Sequence, residues 1–119
     1  MIRVLLVEDE KMLQTLIATI FKNEGIELEI AETGVDAIMK YSEDSDRVVI
    51  LDMSLPDMCG LKIYNALRTI KEDPTIIVSS GRSCGEDIDY ILNFENTTSM
   101  TKPYRCNDLV ALVKEIHGN

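Results

Sequence analysis

The chain has no apolar run near the roughly 20 residues a membrane-crossing helix needs. Its opening, "MIRVLLVEDE", turns acidic where a secretory leader would have an apolar centre and a cleavage site. A cytoplasmic protein without membrane partners is the expectation. Basic residues are scarce: twelve Lys and Arg against twenty-one Asp and Glu leave a net charge of −9 over 119 residues. That balance argues against direct nucleic-acid binding, whose affinity comes largely from cations neutralising phosphates. Cys59, Cys84 and Cys106 are an odd count without CxxC spacing or a nearby histidine, so reduced thiols are expected and a zinc site is not. The single histidine, His117, falls in the last helical turn, where a cation suits the helix dipole. No repeat, linker or low-complexity segment interrupts the chain, and its length suits one domain over 1–119.

What is present is an alternation of short apolar runs with segments of helical period. "IRVLLV" (2–7) predicts a first strand, followed by a helix carrying Met12, Leu13, Leu16, Ile17, Ile20 and Phe21 on one face until Gly25 stops it. "ELEIA" is a second strand, and Thr33 with Asp36 predicts the capped start of a helix bearing Ala37, Ile38 and Tyr41. "RVVIL" (47–51) is the most continuous strand, followed by a helix over Leu61, Ile63, Tyr64, Leu67 and Ile70. "TIIVS" is a fourth strand, and Ser83 with Glu86 has capping-box spacing before Ile88, Ile91 and Leu92. "TTSMT" is a fifth strand, ahead of a last helix over Leu109, Val110, Leu112, Val113 and Ile116. Met39, Met53, Met58 and Met100 are read as filling core or loop space. Strands and helices in strict alternation predict an α/β fold, a doubly wound parallel sheet with helices on both faces. Ligands in such folds sit beyond the carboxyl ends of the strands.

The residues that gather there carry chemistry. Strand one delivers Glu8 and Asp9, strand three Asp52, strand four Ser79 and Ser80, and strand five Lys102 followed by Pro103. Two like charges about 4 Å apart repel by roughly 4 kcal/mol at an effective dielectric of about 20, so three carboxylates need compensating cations. Lys102 is one, and a hard divalent ion such as Mg²⁺, content with few protein oxygens, suits the rest. An Asp52 carboxylate so placed can attack phosphorus while the cations and a Ser hydroxyl hold the other phosphoryl oxygens. Asp9 by itself would also suit the cap of the first helix, and Asp57 a solvated turn.

"VLLVEDE", "LDMSLPDMCG", "IIVSSG" and "MTKPY" together resemble, in order, the four signature segments of the receiver domain of two-component response regulators. The resemblance implies a flavodoxin-like (βα)5 sheet of order 2-1-3-4-5 and a phosphoacceptor at Asp52. It implies metal binding by Asp9 and Asp52 directly, Glu8 through water, and the Ser54 carbonyl. Met53, Ser80, Gly81 and Lys102 would bind the phosphoryl group, with Ser80 favoured over Ser79 by spacing from Asp52 and Lys102, and a cis bond would precede Pro103. Ser54 and Arg82 stand at positions that gate the attacking water, and slow self-dephosphorylation is expected. Ser99 replaces a frequent aromatic or His, so Met100, Tyr104 or another route would carry the signal. Glu95 and Asn96 replace a usual Gly-Ala.

The implied partners are a sensor histidine kinase or histidine phosphotransfer protein and a downstream protein target, with a phosphorylation-linked homodimer through the last helix as a further outcome. The last helix ends close to the final residue, which fits either a single-domain regulator or a fragment of a larger one. Alternatives are a Mg²⁺-dependent phosphatase of haloacid dehalogenase type, a flavodoxin-like nucleotide or flavin carrier, and a pseudo-receiver. The phosphatase would need a second acid where Ser54 stands, and the carrier would need hydroxyls or glycines where "EDEKM" stands.

Overall fold

Val, Ile and Leu crowd the strand segments because branched side chains fit a pleated surface covered on both faces. The structure, a computed structural model, describes residues 1–81 and 85–118. In chain order the elements are β1 (Arg3–Val7), α1 (Lys11–Asn23), β2 (Glu27–Ala31), α2 (Gly34–Glu43), β3 (Val48–Asp52), α3 (Gly60–Ile70), β4 (Ile76–Ser80), α4 (Gly85–Ile91), β5 (Thr97–Thr101) and α5 (Cys106–Gly118). All strand pairs are parallel and the sheet order is β2-β1-β3-β4-β5, the order expected. β3 and β4 each lie one residue further along the chain than predicted, and the Met53 N–H continues their pairing by donating to the Ser79 carbonyl at 3.0 Å. Asp52 and Ser80 are therefore the last residues of their strands rather than the first residues of loops.

Alternation along the strands builds two apolar layers. Leu5, Val7, Val49, Leu51, Ile76 and Val78 face α2, α3 and α4, while Val4, Leu6, Val48, Ile50 and Ile77 face α1 and α5. Helix α1 ends where expected, at Gly25 with φ +72°, and the Ile26 and Gly25 N–H groups donate to the Phe21 and Lys22 carbonyls. That is the paired bond pattern of a glycine-terminated helix. The expected Thr33 cap is in place, its hydroxyl accepting the Asp36 N–H at 3.0 Å. The Ser83–Glu86 capping box lies outside the described residues.

Four apolar residues depart from their expected places. Met12 and Leu16 are 78% and 50% exposed, because the inward stripe of α1 runs through Gln14, Ile17 and Phe21 instead. Met39 is exposed on the far side of α2 from Ala37 and Tyr41, and Leu92 is exposed just past the end of α4.

Tyr41 is fully buried, and its hydroxyl has no hydrogen-bond partner among the described residues. Burial, with the charge of Asp46, pushes its pKa up to about 12. An unpaired buried hydroxyl costs about 1–3 kcal/mol, so Tyr41→Phe is expected to raise stability by roughly 1 kcal/mol in urea denaturation. A loss of stability would show that the hydroxyl is bonded through buried water.

Candidate functional site

The site is built where β1, β3, β4 and β5 end. Glu8 follows β1: its N–H donates to the Ala31 carbonyl at 3.0 Å, which keeps the chain in the sheet, and it is only 2% exposed. Glu8 Oε2 accepts the Glu10 N–H at 3.1 Å and Oε1 takes the Lys102 ammonium at 3.0 Å. Asp52 closes β3 at 3% exposure, with Oδ1 accepting the Ser54 N–H at 2.9 Å and Oδ2 3.2 Å from Lys102 Nζ. Lys102 thus bridges two buried carboxylates. Asp9 is exposed beside them, and Glu8, Asp9 and Asp52 can each offer an oxygen within 4.8 Å of the others. Three carboxylates against one ammonium leave a concentration of hard oxygen donors and negative charge, a donor set that fits Mg²⁺.

The electrostatics follow burial. Removal from water pushes the Glu8 carboxyl above its ordinary value, against the Glu10 N–H and Lys102, which lower it, and with the Asp52 charge, which raises it. For Lys102 burial pulls the other way, but the Glu8 hydrogen bond and the charges of Asp52 and Glu8 outweigh it and the ammonium is held above its ordinary value. The two partners differ because Lys102 faces two carboxylates, whereas Glu8 has one ammonium and a second carboxylate, Asp52, beside it, so desolvation wins only at Glu8.

On the far side of Asp52, register pairs it with Ser79, and Ser80 follows as the last residue of β4. The Ser80 carbonyl accepts the Lys102 N–H at 2.8 Å, which ties the β5 end to the β4 end, and the Lys102–Pro103 bond is cis, as the resemblance implied. Gly81 has open space beside its Cα. The Met53 N–H donates to the Ser79 carbonyl, and the backbone amide that meets Asp52 in this structure is that of Ser54. Arg82 and Cys84 lie outside the described residues.

Gly60 shapes the loop behind Asp52. A Cβ there would stand 2.6 Å from Met53 Sδ and 2.9 Å from Met53 Cα, and the second of these is backbone, which no rotamer change relieves. Overpacking of this kind costs about 1–3 kcal/mol. Gly60→Ala is expected to lose stability by that amount in urea denaturation, and an unchanged midpoint would mean the loop shifts freely.

Other residues near the site take parts that the sequence did not assign to them. The α1 cap is Glu10, not Asp9, which leaves Asp9 free of that duty. Asp57 is exposed in the loop, as expected, and it also has a partner: both its oxygens lie 3.0 Å from the Gly34 nitrogen, tethering the loop after Asp52 to the start of α2. Gln14 was not singled out in the sequence; its buried Nε2 donates to the Glu8 carbonyl at 2.6 Å. A polar residue on an otherwise apolar helical stripe was the available signal. Asn96, which with Glu95 replaces a usual Gly-Ala, adopts φ +63°, which Asn tolerates better than most residues. Ser99 is exposed, and Met100 and Tyr104 pack against the α1–α5 layer.

The response regulator receiver domain family matches residues 4–114. A CpxR homolog of Haemophilus influenzae, described as a transcriptional regulatory protein, is 31% identical over 118 residues, covering 98% of this chain and 50% of that protein. The chain therefore spans about half the length of the curated relatives it matches. Among solved structures, a response regulator receiver domain protein from Clostridium thermocellum superposes with a TM-score of 0.88 at 20% identity, covering 99% of this chain and 95% of that one. The receiver domain of a Pseudomonas aeruginosa sensor histidine kinase, with a magnesium ion coordinated in its active-site cleft, gives 0.84 at 20% identity and 98% of each chain. At those identities the superpositions speak to the fold. With the family match across nearly the whole chain and the acidic cluster at the strand ends, this chain belongs to the receiver domains of two-component response regulators.

Proposed function

We propose that Asp52 is the phosphoacceptor of this receiver domain, taking its phosphoryl group from a phosphohistidine on a sensor histidine kinase or histidine phosphotransfer protein. The observation that carries the reading is the setting of one carboxylate, which ends the central strand between the Lys102 ammonium and the Ser54 N–H, with Glu8 and Asp9 alongside. A lone pair on an Asp52 oxygen forms the new O–P bond as the P–N bond breaks and its electrons leave with the imidazole nitrogen. Lys102 holds charge on the phosphoryl oxygens, the Ser80 hydroxyl donates to one of them, and the Ser54 and Gly81 amides complete the cradle.

Glu8, Asp9 and Asp52, with the Ser54 carbonyl, would hold Mg²⁺, which when bound supplies positive charge against the phosphoryl oxygens. Both Glu8 oxygens already accept hydrogen bonds, which supports a water-mediated share for Glu8, and the exposed Asp9 carboxylate is the one of the three best placed for a direct share. The acyl phosphate replaces one negative charge by roughly −1.5 to −2 and so alters what Lys102 and the loops can pair with. That change is read by a downstream protein target, and no nucleic acid need touch this domain. An apolar groove of about 400 Å³ beside Lys102, lined by Met12, Leu13, Leu16, Pro103 and Tyr104, supports docking of the phosphodonor next to Asp52. The phosphatase and carrier alternatives are not favoured, since the family match spans the chain and Ser54 supplies no second acid.

Intact mass after incubation with acetyl phosphate tests the reading. A gain of one phosphoryl group with Mg²⁺ and none with a chelator is the expected result. No gain in either condition, nor from a panel of phosphorylated histidine kinases, would overturn it in favour of a pseudo-receiver.

A further inference from the structure

We infer that Gln14 is a positioning residue for the acidic pair, orienting the Asp9 carboxylate through the Glu8–Asp9 peptide. This rests on the reading of Glu8, Asp9 and Asp52 as the metal-binding edge. Gln14 lies on the inward stripe of α1 with Ile17 and Phe21 and is 7% exposed. An apolar residue would bury there at lower cost, because an amide loses its water and must recover the loss through a hydrogen bond. Gln14 recovers it at one place, the Glu8 carbonyl, 2.6 Å from Nε2.

That carbonyl is where the sheet no longer controls the chain. The Glu8 N–H is fixed by the Ala31 carbonyl and its side chain by Lys102 and the Glu10 N–H, so the Gln14 bond fixes the remaining free group of the residue. The Asp9 carboxylate makes no hydrogen bond or ion pair among the described residues. What the structure fixes is therefore the Asp9 backbone, from which that side chain reaches toward the site: the plane of the peptide joining it to Glu8 is held by Gln14. Removing the donor frees that peptide to rotate and unsettles the point from which the Asp9 carboxylate reaches the site. Groups that orient metal ligands in this indirect way are worth about 10–100-fold in metal affinity.

The test is a Mg²⁺ titration without phosphodonor, followed by backbone amide shifts, on wild type, Gln14→Met and Ile17→Val. Gln14→Met keeps the volume and removes the donor; Ile17→Val disturbs the same helix without touching Glu8. The expected result is affinity about tenfold weaker in Gln14→Met and unchanged in Ile17→Val, although Ile17→Val melts at lower temperature. Wild-type affinity in Gln14→Met overturns the role of Gln14 and leaves the metal reading intact. A wild type that binds no Mg²⁺ overturns the metal reading itself, and the positioning role with it. Should Gln14→Met fail to fold, Gln14→Asn, whose amide is too short to reach the carbonyl, supplies the same comparison.

Discussion

Asp52→Asn is expected to remain at its unphosphorylated mass in acetyl phosphate and Mg²⁺, under conditions in which wild type gains one phosphoryl group. The substitution is close to isosteric at a residue that is 3% exposed, so packing is kept. What changes is the nucleophile, since a neutral amide oxygen has neither the charge nor the basicity to displace a phosphoryl group. The amide also offers one oxygen where the carboxylate offers two, and the Ser54 N–H and the Lys102 ammonium both bond to that carboxylate. One of those donors loses its acceptor, while Lys102 retains Glu8. Loss of labelling with a retained circular dichroism spectrum assigns the chemistry to Asp52. A full phosphoryl gain in the variant would move the acceptor elsewhere, with Asp9 the first candidate because it is the exposed member of the cluster.

Lys102→Met is expected to slow acetyl phosphate labelling by a factor on the order of 10²–10³, the usual consequence of removing one group that stabilises developing charge. The same variant should lose stability at neutral pH. Lys102 is the ammonium shared by Glu8 and Asp52, both nearly fully buried. Without it two carboxylates whose oxygens lie within 4.8 Å face one another, a repulsion of about 3–4 kcal/mol at an effective dielectric of about 20. Glu8 is the group that yields, since burial already raises its pKa in the wild type and loss of Lys102 removes two of the influences that lower it.

A carboxyl whose folded pKa lies above its unfolded value destabilises the fold as it ionises. The cost is absent below the unfolded value, near 4.5, and is fully present above the raised folded value. In chelator, the gap in unfolding free energy between wild type and Lys102→Met should therefore be large at pH 7 and shrink as pH falls toward 4. The wild-type side of the comparison has the same sign, because the benefit Lys102 draws from its partners disappears as they protonate. A gap equal at both pH values would mean that Lys102 contributes through packing of its stem rather than through the carboxylates.

Much of this was legible in the residues themselves. Thr33 with Asp36 and Gly25 at the end of α1 are local signals, decided within a turn of chain, and the structure has each where local chemistry put it. Alternating strands and helices led to the parallel sheet, whose hand and connections are restricted by general rules. The strand-end residues Glu8, Asp9, Asp52 and Lys102 were visible because parallel strands bring all their carboxyl ends to one edge.

The inward face of α1 was misjudged at Met12 and Leu16 because both fit the apolar period. The helix is turned so that Gln14 meets the end of β1, a preference that hydrophobic spacing does not encode. The tether made by Asp57 was missed for a similar reason, since its partner, the Gly34 N–H, is 23 residues away. By itself, then, the sequence determined the elements, the sheet and the set of reactive groups, all of which follow from local pattern and fold-wide geometry. Only the tertiary structure decided that Glu8 is buried and raised in pKa, that one ammonium 94 residues from it serves both it and Asp52, and that Gln14 fixes the peptide between the two acids. Those are outcomes of desolvation and hydrogen-bond direction, which arise once distant segments exclude water from one another.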